Sequence, residues 1–132
     1  MKRDIVNRSD IETLINHFYN KVKTDPVIGH IFTNIAHVNW EKHLPVMYNF
    51  WENAIFYTGA YLGNPLIIHK HLHKKAYLNH KHFEQWNNLF ISSVDELFSG
   101  KNVNLIKQRA TSISTVMQIK ILNDHSTPDK VY

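Results

Sequence analysis

Ser9-Asp-Ile-Glu-Thr-Leu-Ile-Asn-His-Phe-Tyr-Asn-Lys-Val22 is the stretch whose reading decides the fold class. Its large apolar residues are Ile11, Leu14, Ile15, Phe18, Tyr19 and Val22. They recur three and four residues apart, which is the single stripe of an amphipathic helix and not the alternation of a strand. Ser9 with Glu12 three residues on reads as a capping box at its start. Proline biases the residue before it away from the helical region, so the helix should stop before Pro26. Asp25-Pro26 then reads as a fresh cap followed by proline at the first helical position, opening a short helical turn through Ile31 and Phe32.

The same period continues outward. A helical run spans about Asn39 to Tyr57, with Leu44, Met47, Tyr48, Trp51 and Ile55 as its stripe and Phe50 and Ala54 beside it. Pro45 lies inside this run, and proline is tolerated only in a first helical turn. The regular helix is therefore expected to start near Leu44, after a leading turn from Trp40 to His43. Thr58 to Gly63 breaks the pattern. Asn64-Pro65 repeats the cap-and-proline signal and predicts a helix to about Tyr77. Asn79 should cap the next, whose row is Phe83, Trp86, Phe90, Val94, Leu97 and Phe98, with Gly100 as its stop. Asn102 is the expected cap of a last helix facing inward through Val103, Ile106, Ala110, Ile113, Met117 and Ile121. Residues 123–132 have no period and read as a flexible tail, leaving 1–122 as one all-α domain.

At 132 residues the chain has room for one core. It has no cysteine, which excludes disulfides, Cys-ligated zinc, iron–sulfur clusters, a thiol nucleophile and covalent c-type haem. No phosphate-binding glycine loop, nucleophile elbow or HExxH occurs. The net charge of +4 comes from scattered basic residues, which argues against nucleic acid. No stretch has the length and apolarity of a membrane span, and no signal peptide is visible, so a cytoplasmic location is expected.

The unusual counts are ten His, seven Phe, six Tyr and three Trp. On a helix His69 and His73 share a face while His71 points away. Either could ligate a metal, but a bare zinc or di-iron site needs further ligands that cannot be placed. Haem needs one imidazole and a slot lined by large side chains. Phe18, Phe32, Phe50, Trp51, Phe83 and Phe90 are enough to build one, and each serves equally well as plain core. Tyr19 and Trp86 sit on apolar stripes yet carry an O–H and an N–H that need a partner when buried. Backbone or ligand could supply it.

Taken together, the segments Phe18-Tyr19, Asp25-Pro26, Ile28-Gly-His-Ile-Phe32, Trp40-Glu-Lys-His-Leu-Pro45, Asn49-Phe-Trp51, Tyr61-Leu-Gly-Asn-Pro65, His69-Lys-His-Leu-His73, His82-Phe-Glu-Gln-Trp86, Val94-Asp-Glu-Leu-Phe98 and Arg109-Ala110 resemble, in order, the group III truncated haemoglobins. The resemblance implies a two-over-two helical globin sandwich around haem b. It makes His69 the proximal iron ligand, and Tyr19, Trp86, His43 and Met47 the distal ligand-binding residues. It places Phe18, Phe32, Phe50, Trp51, Leu72, His73, Phe83, Ile113 and Met117 about the porphyrin. His43 could gate the pocket or ligate the iron, and the leading turn with Pro45 favours a gate. The implied function is reversible binding of O2, CO or NO. The alternative is a haem enzyme, an NO dioxygenase or peroxidase, drawing electrons from an external reductase because the chain has no flavin or nicotinamide module. A monomer or weak dimer is expected.

Overall fold

The computed structural model describes residues 2–32, 39–57 and 78–122. Among the described residues four long helices carry the fold: α1 Arg8–Thr24, α2 Trp40–Phe56, α3 His80–Leu97 and α4 Lys101–Met117, followed by a π-helical turn at Gln118–Leu122. No strand occurs among the described residues. α1 packs on α2 and α3 on α4, and the pairs face each other through α1–α3 and α2–α4 contacts, so the layers are two over two.

The α1 stripe is buried as its spacing predicts: Ile11, Leu14, Ile15, Phe18 and Val22 are wholly inaccessible. Full burial of one such side chain contributes about 1.5–3 kcal/mol. The expected cap is displaced by two residues. Asn7, not Ser9, caps α1, its side chain accepting from the Asp10 N–H at 3.0 Å. Asp10 turns back to accept from the Val6 N–H at 2.9 Å, while Glu12 instead pairs with Arg8 at 3.0 Å. After the stop at Asp25, the Asp25 carboxylate accepts from the Val27 and Ile28 N–H groups at 2.9 and 3.0 Å. The capped turn leading to Phe32 is present as read.

α2 begins earlier than expected, at Trp40, with Asn39 as its cap. Pro45 thus lies within the helix and cannot donate to the Glu41 carbonyl four residues back. The helix continues because Trp51 and Ile55 of the same stripe are buried and Arg8 bonds to Asn49 and Glu52 at 2.7 and 2.9 Å.

Asn79 caps α3 as predicted, and the box is closed from an unforeseen side chain: His82 Nδ1 accepts from the Asn79 N–H at 3.1 Å. Asn102 does not cap α4. Gly100 occupies the cap position with φ 147, and its missing side chain is replaced by Asp4, which accepts from the Asn102 and Val103 N–H groups at 2.9 and 3.0 Å. A Cβ at Gly100 would lie 2.5 Å from the Asp4 Cγ. Asn102 sits inside α4 and donates to the Ile5 carbonyl at 2.6 Å. The N-terminal segment is therefore part of the fold, with Ile5 wholly buried and the Arg3 carbonyl accepting from the Ser99 N–H. Along α4, Val103, Ile106, Ala110 and Met117 face inward and Ile113 is half-buried. The predicted helix from Asn64-Pro65, the tail 123–132 and the Ile121 side chain lie outside what is described.

Candidate functional site

Phe18 and Tyr19 are neighbours on the buried side of α1 but meet different partners. Phe18 is wholly inside, edge-on to Trp86 at 5.8 Å and to Phe90 at 5.1 Å. Tyr19 is 5% exposed and turns toward α2. Its hydroxyl lies 3.2 Å from His43 Nε2, and the two rings meet edge to face at 5.3 Å. Which atom donates depends on the imidazole tautomer. Burial pushes the Tyr19 phenol well above its ordinary range, so the group is a neutral hydroxyl, able to donate, throughout the physiological range.

Three elements converge on this phenol. α1 supplies Tyr19, the early start of α2 brings Trp40 and His43 to it, and the capped turn after Asp25 brings Phe32. Phe32 lies 6.2 Å from Tyr19 and stacks on Trp40 at 6.1 Å. Trp40 lies 5.1 Å from Tyr19 and 5.8 Å from His43, with the Lys23 ammonium 4.6 Å from its ring centroid. Trp40 is the site residue that pattern reading missed. The pattern puts it in a leading turn, whereas it is the first residue of α2, and only its place in the motif Trp40-Glu-Lys-His43 marks it.

Trp86, one residue beyond Gln85, stacks on Phe90 at 5.7 Å, and Phe90 in turn stacks on Trp51 at 4.6 Å. Gln85 donates to the Asp25 carboxylate at 2.7 Å, which ties α3 to the turn carrying Phe32. The Trp86 N–H makes no hydrogen bond within the described residues, in contrast to the Tyr19 hydroxyl. Trp51, Phe83 and Met117 are buried, whereas Phe32, Met47, Phe50, Trp86 and Ile113 pack on the core with part of their surface open. Phe50 meets Trp51 edge-on at 5.0 Å. His69, Leu72 and His73 lie outside the described residues.

The arrangement sets a neutral phenol and an imidazole in one hydrogen bond, beside the large, partly buried side chains of Phe32 and Trp40. Chemically this is a small polar spot in an apolar wall, able to hydrogen-bond a compact polar ligand.

No family model matches the chain. The crystal structure of the group III truncated haemoglobin from Campylobacter jejuni superposes with a TM-score of 0.79 at 31% identity, covering 92% of this chain and 95% of that one. The fold is that of a truncated globin. The group 3 truncated haemoglobin ctb of Campylobacter jejuni is 33% identical over 121 residues, 89% of this chain and 93% of the relative. The chain belongs to the group III truncated haemoglobins.

Proposed function

We propose that this chain is a haem b globin that binds O2 and other diatomic ligands reversibly, with residues 1–122 as the haem-binding domain. The observation that carries the reading is the buried Tyr19 phenol 3.2 Å from His43 Nε2, with Trp86 held edge-on against the adjoining Phe18. The side chains present suit the cofactor. Phe32, Met47, Phe50, Trp86 and Ile113 are large, apolar and partly open, which suits a flat macrocycle, and their layer rests on a closed core. His69 is the proposed proximal ligand. When bound, the haem iron supplies a coordination position for O2, CO or NO.

The residues of the chain then do the following. Tyr19 and Trp86 each offer a donor to a ligand's polar atom. A net hydrogen bond contributes about 0.5–1.5 kcal/mol, more where water is excluded. His43 occupies the phenol in the arrangement observed, and a swing of His43 toward solvent frees the Tyr19 hydroxyl for the ligand, so His43 acts as a gate. Met47, one helical turn after His43, limits the pocket by bulk. Two donors slow ligand escape, which favours tight O2 binding over rapid delivery.

The test begins with the visible spectrum of the purified protein, where a haem band is expected and its absence from protein expressed with excess haem sinks the reading. O2 dissociation is then measured in Tyr19→Phe and Trp86→Phe. Each variant should release O2 roughly tenfold faster, at about 1.4 kcal/mol per decade. Unchanged rates in both would remove the basis for a polar distal pocket. His69→Ala should abolish haem retention.

The two donors also favour a second reading, because groups that hold O2 or peroxide by hydrogen bonds also polarise its O–O bond. NO dioxygenase or peroxidase turnover would then depend on an external reductase. Turnover with NO and O2, or with peroxide, distinguishes it.

A further inference from the structure

Tyr19 and Trp40 form a pair of redox-active rings spanning from the interior to the surface. Their centroids are 5.1 Å apart, Tyr19 is 5% exposed, and Trp40 is partly exposed with the Lys23 ammonium above it. Trp86 is also partly open, but its ring meets Phe18 and Phe90 and not Tyr19. The Trp86–Phe90–Trp51 stack leads inward, ending on a Trp51 that is 3% exposed. A phenol surrendering an electron must also lose its proton, and a buried phenol cannot pass it directly to water. His43 Nε2, 3.2 Å away, lies within hydrogen-bond reach of that proton.

We propose that Tyr19 and Trp40 form a one-electron relay that carries oxidising equivalents from the pocket to the surface, where a small outer-sphere reductant of the phenol or ascorbate class restores it. Hydrogen peroxide is the oxidant, accepting two electrons and two protons to give two waters. Each electron is drawn from Tyr19 as its O–H proton moves to His43 Nε2, leaving a neutral phenoxyl radical. Trp40 returns an electron to the phenoxyl, which takes back the proton from His43. The indole cation radical left on Trp40 is reduced by one electron from the donor. Two donor molecules lose one electron each per peroxide, and solvent supplies the two protons. The relay rests on the haem reading only for the place where peroxide is reduced. Its ring geometry stands apart from it. The Lys23 cation stabilises the neutral ring and opposes positive charge on it, so Lys23 sets how readily the relay conducts.

The experiment oxidises the full-length protein from solution with photogenerated tris(bipyridine)ruthenium(III) and reads the radicals by electron paramagnetic resonance. The phenoxyl component belonging to Tyr19 is the part lost in Tyr19→Phe. That component is expected to vanish in Trp40→Phe, which keeps an aromatic ring in place and whose helix content is checked by circular dichroism. It should grow in Lys23→Gln, a surface change that leaves the rings untouched. A Tyr19 signal that persists at full yield in folded Trp40→Phe overturns the relay. So does a wild type with no Tyr19 component, and an unchanged yield in Lys23→Gln overturns Trp40 as the port. Because the oxidant is made in solution, these outcomes are independent of the haem spectrum, which tests the functional reading separately.

Discussion

Tyr19 illustrates how one residue holds two incompatible positions in a sequence reading. By spacing it belongs to the core stripe of α1, and by chemistry it carries a hydroxyl that a core must satisfy. The structure meets both demands by burying the ring against Trp40 and Phe32 while handing the hydroxyl to His43. Removing the imidazole therefore changes the phenol as much as the pocket mouth. His43→Ala should accelerate CO association, because no side chain need move aside, and should leave the unliganded ferrous spectrum five-coordinate. Stopped-flow mixing and the visible spectrum check the two halves. A six-coordinate ferrous spectrum in the wild type that disappears in the variant would make His43 a ligand instead of a gate. That Tyr19 and Trp86 were unusual was legible from residue type alone, but the identity of the phenol's partner was not, since His43 is 24 residues away on another helix.

At the scale of elements, the helix ends divide into those solved locally and those solved by a neighbour. Asn79 and Asp25 cap from within their own segments, so a local pattern was enough to find them. α4 has no side-chain cap of its own and borrows Asp4. Asp4→Ala should cost about 1–2 kcal/mol and lower the thermal midpoint by roughly 4–10 °C, as read by calorimetry. The same change in a chain capped locally at Asn102 would be nearly silent, so the measurement discriminates between the two arrangements. The His82 cap carries a pH dependence. Burial first, and the neighbouring His30 charge second, hold the His82 pKa below its ordinary 6.5. Its neutral Nδ1 is also the acceptor that closes the box. The unfolded chain then binds the proton more readily, so stability is greatest above pH 6.5 and falls as pH drops from there toward the lowered folded value. His82→Gln keeps an acceptor at the same position. Its urea midpoint should exceed the wild type's more at mildly acidic pH than above neutrality.

For the whole molecule, the N-terminal segment closes the bundle. Ile5 enters the core, Asp4 caps α4, and Asp10 gathers Arg3 and the Val6 N–H against the start of α1. Burial opposes charge on Asp10, but the Arg3 hydrogen bond and the backbone donors outweigh it and hold the carboxyl below its ordinary value. A lowered carboxylate contributes stability above the ordinary value of about 4, and that stability is lost as pH falls through the lowered one. Asp10→Asn should be less stable at neutral pH and lose less on acidification, a difference that urea titrations at both conditions resolve. Glu96 is lowered in the same direction by Lys21 foremost and His17, but it is exposed and solvent screens the pairing. The acid response should therefore follow Asp10 more than Glu96.

The stripe of α1, the stop before Pro26, the cap at Asn79 and the inward row of α4 were all written in the order of residues, because each depends on neighbours within about four positions along one helix. The start of α2 was not, since Pro45 argues locally for a late start and the buried stripe and the Arg8 contacts outweigh it. Nor were the Asp4 cap, the ring contact between Tyr19 and Trp40, or the hydrogen bond between the Tyr19 hydroxyl and His43. These join groups far apart in the chain, and they exist only once the helices have packed at their particular crossings. Helix packing follows from the burial of whole faces, a sum over many side chains that no short segment contains.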